Sequence, residues 1–183
     1  MTRLFTRAVL ALGSNLGDRT ETLSAAVAEL VDRPEVRLRD VSPVVQTEAV
    51  GGPADQPDFL NMVLEIETLL GPYELLEHCH AVEAAHHRTR AVRWGPRTLD
   101  VDIITYGEVL SSDDRLTLPH PRAAERAFVL YPWSLMDPQA TLGGVSVVEL
   151  AARAADMPSV GHFEGIEPCG GKAGREHTVQ PAP

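Results

Sequence analysis

Apolar and polar residues follow patterns typical of both strands and helices along the first 157 residues. The pattern is clearest over 59–68, where a long apolar stretch ends in strict alternation, as in a strand with one buried face. Apolar residues recur at helical spacing over 19–31, just before Pro34. The same criteria predict strands over 7–13, 36–47 (with Pro43 at an edge or bulge) and 99–106, helices over 73–87 and 145–155, an extended segment over 116–119, and a helical turn or two after Pro121.

The order of these elements indicates the class of fold. Strand, helix, two strands, helix and strand predict an α+β protein in which helices cover an antiparallel sheet, here as a single domain over 1–157. The composition then changes, since residues 158–183 contain five Gly and four Pro and few large apolar side chains. We expect this segment to be a disordered or loosely attached tail.

Composition and charge narrow the classes of partner. With 16 basic and 26 acidic residues the net charge is −10, which argues against broad binding of nucleic acid or of an anionic membrane. No apolar run approaches the roughly 20 residues of a membrane span. The two cysteines and the absence of an export signal predict a cytoplasmic protein. We expect a monomer that acts on small molecules.

Two aspartates on the strand predicted over 99–106 are the first candidate for chemistry. Residues i and i+2 of a strand share a face, so Asp100 and Asp102 project together with Cα atoms about 6–7 Å apart. Such a pair can bind hard cations such as Mg²⁺, and two ions can clamp a phosphoryl group. An isolated Asp-x-Asp is also common on solvent-facing strands, and glycosyltransferases use it to bind metal and nucleotide.

A cluster of arginines precedes this pair and changes its interpretation. Four arginines lie over 88–97, with no acidic residue over 84–99: Arg88, Arg90, Arg93 and Arg97. The guanidinium fork matches phosphate oxygens, so arginines beside metal-binding carboxylates favour phosphoryl transfer. The glycine-containing turn over 13–17 lacks the Gly-Lys-Ser/Thr ending of a P-loop and is weak evidence alone.

The stretch over 93–104, Arg-Trp-Gly-Pro-Arg-Thr-Leu-Asp-Val-Asp-Ile-Ile, closely resembles the signature of the 6-hydroxymethyl-7,8-dihydropterin pyrophosphokinases of folate biosynthesis. The resemblance extends over about 8–155. It includes the segments 12–17, 55–61, 118–122 and 126–130, Thr47 with Gly51, and Glu83 with Arg88 and Arg90. Several linked motifs in the same order identify the chain as a member of this family.

The resemblance implies a ferredoxin-like fold and transfer of the β,γ-diphosphate of ATP to the hydroxymethyl group of the dihydropterin, which leaves AMP. It also implies two Mg²⁺ ions between the triphosphate and the carboxylates of Asp100 and Asp102. The resemblance further implies that Arg88, Arg97 and Arg126 contact phosphates, that Arg90 is a mobile-loop arginine of the catalytic set, and that Glu83 and His120 lie on the ATP side. The residues that match the pterin pocket are Thr47, Phe59, Asn61 and Phe128.

The pterin-side residues suit a pterin physically. Two aromatic faces, Phe59 and Phe128, can hold a flat bicyclic ring, and the Asn61 carboxamide can pair with its amide and amino edge. The chain departs from the family at His87, where glycine is usual, and at Ala49, where proline is frequent. The sequence offers no convincing general base for the pterin hydroxyl.

Two other functions compete with this assignment. One is another metal-dependent nucleotidyl- or glycosyltransferase that uses Asp100 and Asp102, and the pterin-side residues argue against it. The other is a ferredoxin-like module that senses a ligand, and the acid pair beside four arginines argues against that.

Overall fold

The computed structural model describes residues 4–48, 56–86 and 98–163, and within these the chain forms ten β-strands and four α-helices. The helices are α1 (Arg19–Val31), α2 (Pro72–Ala85), α3 (Ala127–Met136) and α4 (Val147–Arg153). The strands are β1 (Thr6–Ser14), β2 (Val36–Val41), β3 (Val45–Thr47), β4 (Phe59–Thr68), β5 (Asp100–Tyr106), β6 (Ser111–Asp113), β7 (Leu116–Leu118), β8 (Thr141–Leu142), β9 (Val145–Ser146) and β10 (Val160–His162).

Six of these strands form one sheet in which every pairing is antiparallel. The strand order is β10-β3-β4-β1-β5, and β2 pairs with β4 beside β3. The chain order β1, α1, β2 with β3, β4, α2, β5 and this spatial order are those of the β-α-β-β-α-β ferredoxin-like arrangement. The α+β fold with an antiparallel sheet in a single domain, expected from the sequence, is confirmed.

The two faces of the sheet bury separate cores. On one face, alternate strand residues such as Leu64 pack against the apolar sides of α1 and α2. On the other face, Val9, Val63 and Ile104 pack against α3 and α4 in a core that includes Trp133. Because α3 and α4 cover only part of their face, the remaining part is free to carry polar side chains.

Both long helices begin with local hydrogen bonds that the sequence supplies. The Asp18 carboxylate accepts a hydrogen bond of 3.0 Å from the Glu21 N–H, as an N-cap residue does. Pro72 occupies the first turn of α2, and the Glu74 carboxylate accepts a 2.6 Å hydrogen bond from the Gly71 N–H.

The sequence pattern predicted α1 and β4 correctly and was wrong where short elements follow one another closely. The strand predicted over 36–47 is two strands, because the pairing is interrupted at Ser42 and Pro43. There the Ser42 hydroxyl accepts a hydrogen bond of 2.8 Å from the Val63 N–H. The helical turn expected after Pro121 is a 3₁₀ turn followed by the full helix α3. The last helix is confined to Val147–Arg153, shorter than the predicted 145–155.

The domain also extends beyond the expected boundary at residue 157. A 3₁₀ turn over Met157–Ser159 leads into β10, and Phe163 packs against the core beneath α1 and α2. The predicted tail therefore begins no earlier than residue 164, and residues 164–183 lie outside the described part of the chain. No helix among the described residues is long and apolar enough to span a bilayer.

Candidate active site

Several of the described residues that the sequence singled out converge on the sheet face that carries α3 and α4. Gly13 of β1 pairs with Asp100 of β5 on one side and with Asn61 of β4 on the other. Directly paired residues project to the same face, so Asp100 and Asn61 flank the bare backbone of Gly13. Two strand spacings separate their Cα atoms, which is about 10 Å.

The carboxylates of β5 lie on this face as the alternation predicted. Asp100 and Asp102 are partly exposed, whereas Val101 between them is buried in the opposite core. The Asp102 Oδ2 atom lies 3.6 Å from Arg126 Nη1 and 3.8 Å from His120 Nε2. The structure thus brings together one carboxylate of the pair and two of the residues expected on the ATP side.

The surroundings of His120 favour its neutral form. Burial lowers the pKa of His120, and the Asp102 carboxylate opposes this shift. The Nδ1 atom accepts a 3.2 Å hydrogen bond from the Arg122 N–H, which leaves Nε2 to carry the ring proton on the side of Asp102. His120 is thereby held as a neutral hydrogen-bond donor that faces the carboxylate.

Glu83 occupies a buried position behind the carboxylate pair. Its side chain is 3% exposed, and Oε1 accepts a 2.8 Å hydrogen bond from the Val101 N–H. Among the described strands β5 stands at one end of the sheet, so this carboxylate satisfies a main-chain donor between Asp100 and Asp102. Cys79 lies one turn earlier on α2. Its burial, and after that the negative charge of Glu83, raise the pKa of the Cys79 thiol well above its usual range.

The residues expected on the pterin side also lie together. The Asn61 Nδ2 donates a 2.8 Å hydrogen bond to the Thr47 hydroxyl, and both side chains are buried. This bond fixes the orientation of the carboxamide and directs Oδ1 toward Gly13, where an added Cβ atom would lie only 2.8 Å away. The same Cβ would lie 3.8 Å from the Phe59 ring, so Gly13 is the floor of this part of the site.

Phe128 stands at the first turn of α3, above the same face. Its ring lies 5.4 Å from the Arg126 guanidinium carbon, within the range of a cation–π contact. Arg126 therefore adjoins both the carboxylate Asp102 and the aromatic ring of Phe128. Among the described residues, Arg126 thus connects the acidic part of the site to the aromatic part.

Sequence reasoning missed a group of side chains that fix the start of β4. Asn15 Nδ2 donates to the Pro57 carbonyl at 3.1 Å, and Arg19 Nη1 donates to the Asp58 carbonyl at 2.7 Å. The Gln46 amide donates to the Asp58 carboxylate at 2.7 Å. The resemblance had singled out both segments, 12–17 and 55–61, but their contact across 42 residues cannot be read from local spacing.

The carboxylate oxygens of the described residues suit a magnesium ion that is bound together with phosphate. The described residues contain no group of three or more side chains that could enclose a metal by themselves. Mg²⁺ is usually held by one or two carboxylates plus phosphate oxygens and water, and Asp100 with Asp102 supply two carboxylates on one face. The predicted site residues Arg88, Arg90 and Arg97 lie outside the described residues.

Comparison with known proteins identifies the family. Residues 9–138 match the model of the 7,8-dihydro-6-hydroxymethylpterin-pyrophosphokinase (HPPK) family. The chain is 44% identical over 148 residues to the 2-amino-4-hydroxy-6-hydroxymethyldihydropteridine pyrophosphokinase of Methylorubrum extorquens, covering 81% of this chain and 93% of that protein. It is 43% identical over 162 residues to the enzyme of the same name from Pseudomonas aeruginosa, covering 88% and 95%.

Solved structures agree on the fold. The HPPK-DHPS protein of Plasmodium falciparum, crystallised as wild type with pteroate, superposes with a TM-score of 0.64 at 11% identity. The match covers 83% of this chain and 45% of that one, so the chain spans less than half the length of that solved protein. The match to the family model and the identities above 40% confirm the resemblance seen in the sequence: this chain belongs to the 7,8-dihydro-6-hydroxymethylpterin-pyrophosphokinase family.

Proposed function

We propose that the chain transfers the β,γ-diphosphate of ATP to the hydroxymethyl group of 6-hydroxymethyl-7,8-dihydropterin in folate biosynthesis, with release of AMP. The observation that carries this proposal is the row Asp100–Gly13–Asn61 across three adjacent strands. It sets acidic residues suited to a metal–phosphate complex about 10 Å from a carboxamide suited to a pterin edge, on one face of one sheet.

On the nucleotide side, Asp100 and Asp102 would hold two Mg²⁺ ions, which would offset the negative charge of the phosphates. Arg126 lies 3.6 Å from Asp102 and supplies a guanidinium for a phosphate oxygen. Neutral His120, with its proton on Nε2, would donate a hydrogen bond to a phosphate oxygen without adding a charge. Arg88, Arg90 and Arg97 complete this set on the strength of the sequence.

On the acceptor side, Phe59 and Phe128 bind the two faces of the pterin, and Asn61 pairs with its polar edge. The Thr47 hydroxyl holds the Asn61 carboxamide in one orientation, so that Oδ1 is the acceptor presented to the substrate. A preoriented acceptor costs less entropy on binding and places the hydroxymethyl group toward the phosphate side.

The nucleotide product tests this proposal directly. The protein is incubated with ATP, Mg²⁺ and 6-hydroxymethyl-7,8-dihydropterin, and nucleotides and pterins are resolved by chromatography. AMP that forms in step with pterin diphosphate is the expected result. ADP with a pterin monophosphate, or AMP formed without the pterin, would overturn it. Omission of Mg²⁺ is the matched control and should abolish turnover.

The proposal includes a monomeric, cytoplasmic enzyme. The site described above is built from a single copy of the chain, with residues of β1, β3, β4, β5 and α3. Light scattering coupled to size exclusion at the protein concentration of the assay should give one chain mass. Activity that is proportional to protein concentration on dilution supports the same conclusion.

A further inference from the structure

Residues 156–163 lie beyond the part of the chain that matches the family model, which ends at residue 138. We call this segment the strap. It holds a 3₁₀ turn, strand β10 and Phe163, and it contacts elements that carry opposite sides of the proposed pterin pocket. Its contacts suggest a function beyond closing the fold.

The first set of contacts is with β3, which carries Thr47. Val160 of the strap pairs with Thr47, and Thr47 pairs in turn with Phe59 of β4. Two residues further along, His162 pairs with Val45, which pairs with Asn61. Strand β3 is only three residues long, and β10 pairs with its side away from β4. The strap therefore fixes the position of the strand whose hydroxyl orients Asn61.

The second set of contacts is with α3, which carries Phe128. The Asp156 carboxylate accepts a 2.8 Å hydrogen bond from the Ala127 N–H, at the residue directly before Phe128. Asp156 is held in turn by the Ser159 hydroxyl, which donates to its carbonyl at 2.7 Å. A carboxylate at a helix N-terminus satisfies a free N–H and matches the helix dipole. It fixes the turn from which Phe128 projects.

A third contact joins the far end of the strap to the same helix. The Tyr131 hydroxyl and His162 Nε2 are 3.2 Å apart, and the two rings meet edge to face with centroids 6.0 Å apart. Tyr131 is three residues after Phe128, so it lies on the neighbouring turn of α3. Phe163 then packs into the opposite core and anchors the end of the strap.

We propose that the strap is a positioning element that sets the distance between the two walls of the pterin pocket, with Asp156 and His162 as its positioning residues toward α3. One wall, β3 with β4, carries Thr47, Asn61 and Phe59, and the other, α3, carries Phe128. A flat ring needs two aromatic faces at a defined separation, so loss of the strap contacts weakens binding of the pterin more than binding of ATP. This inference rests on the proposed function, since it assigns the strap to the pterin half of the same site.

The test compares full-length variants in steady-state kinetics with each substrate varied in turn. Asp156→Ala and His162→Ala combined remove two hydrogen bonds between the strap and α3, and we expect KM for the dihydropterin to rise about tenfold. KM for ATP and kcat should change clearly less, by no more than about threefold, because the variants remove no side chain of the ATP side. Arg126, the N-cap residue of α3 next to Ala127, accounts for the small change that is expected. Asp156→Asn keeps an acceptor oxygen for the Ala127 N–H and should restore most of the pterin affinity in the His162→Ala background.

Two controls separate positioning from general destabilisation. His80→Ala removes an exposed histidine from α2, on the other side of the sheet, and should leave both KM values unchanged. Amide hydrogen exchange, which needs no turnover, should accelerate at Gln46 and Thr47 in the combined variant. Equal rises of both KM values, or an unchanged KM for the pterin with faster exchange, would overturn the proposal. A wild-type protein that does not consume the dihydropterin would instead refute the proposed function, while the exchange result would still report on the strap.

Discussion

Replacing Gly13 by alanine tests the geometry of the pterin side with a single methyl group. The added Cβ atom would lie 2.8 Å from Asn61 Oδ1, which is closer than carbon and oxygen approach in folded proteins. The next nearest atoms are the Phe59 ring at 3.8 Å and Asn61 Cγ at 3.9 Å, which are ordinary contact distances. The substitution therefore acts on one atom, the acceptor that we assign to the pterin edge.

The size of the effect follows from what holds that atom. Asn61 cannot simply turn aside, because its Nδ2 donates to the Thr47 hydroxyl at 2.8 Å and both side chains are buried. A shift of Oδ1 either breaks this bond or moves the acceptor away from the substrate. Leaving one buried polar group without its partner costs about 1–3 kcal/mol, which corresponds to an increase in KM for the dihydropterin of roughly 5- to 150-fold.

The assay is a double-mutant cycle in initial rates. Gly13→Ala, Asn61→Ala and the combined variant are compared with the wild type at saturating ATP and varied dihydropterin, and then with ATP varied. In the Asn61→Ala background Oδ1 is absent, so the second substitution should cost little. Equal losses from Gly13→Ala in both backgrounds would refute the reasoning, as would a wild-type KM for the pterin in Gly13→Ala.

Three further predictions concern the acids and the thiol. Asp100→Asn or Asp102→Asn should lower turnover by at least about a hundredfold at an unchanged far-UV circular dichroism spectrum, and two fully active variants in limiting Mg²⁺ would contradict the metal role. Glu83→Ala should lower the free energy of unfolding in urea by about 1–3 kcal/mol because it leaves a buried β5 amide unpaired, whereas Glu83→Gln, which retains an acceptor oxygen, should lose clearly less. In a Cys169→Ser variant, a thiol reagent at pH 8 should react with Cys79 only on unfolding, since burial raises the pKa of this thiol; stoichiometric reaction with the native protein would contradict its burial.

The sequence predicted those parts of the fold in which one local pattern decides the structure. Helix α1 has an N-cap, an apolar stripe and a following proline, and it was predicted from Arg19 to about Val31, as observed. The segment over 36–47 has no such single signal. The interruption of this segment depends on the Ser42 hydroxyl, which accepts a hydrogen bond from the main-chain N–H of Val63, 21 residues away in β4. Strand β10 was missed for the same reason, since it exists by pairing with β3, and three residues with a glycine in the middle give no alternation to detect.

The candidate site shows the same division. Alternation along one strand was enough to place Asp100 and Asp102 on a common face. The resemblance to the family implied that Glu83 lies on the ATP side. No sequence pattern showed that its carboxylate accepts a hydrogen bond from the main-chain N–H of Val101, between those two aspartates. That contact joins a helix to a strand 18 residues later, and such distances are set by packing rather than by spacing.

The row across the sheet explains why a glycine stands between the two halves of the site. Asp100 and Asn61 would each serve one substrate, and the transferred diphosphate must pass over the strand that separates them. Any side chain at Gly13 would project from the same face into that passage, as well as against Asn61 Oδ1. On the proposed function, the bare backbone of β1 thus provides the space between the metal-binding carboxylates and the pterin. Asp100, Gly13 and Asn61 are far apart in the sequence, and the antiparallel register of β4, β1 and β5 brings them into a single row.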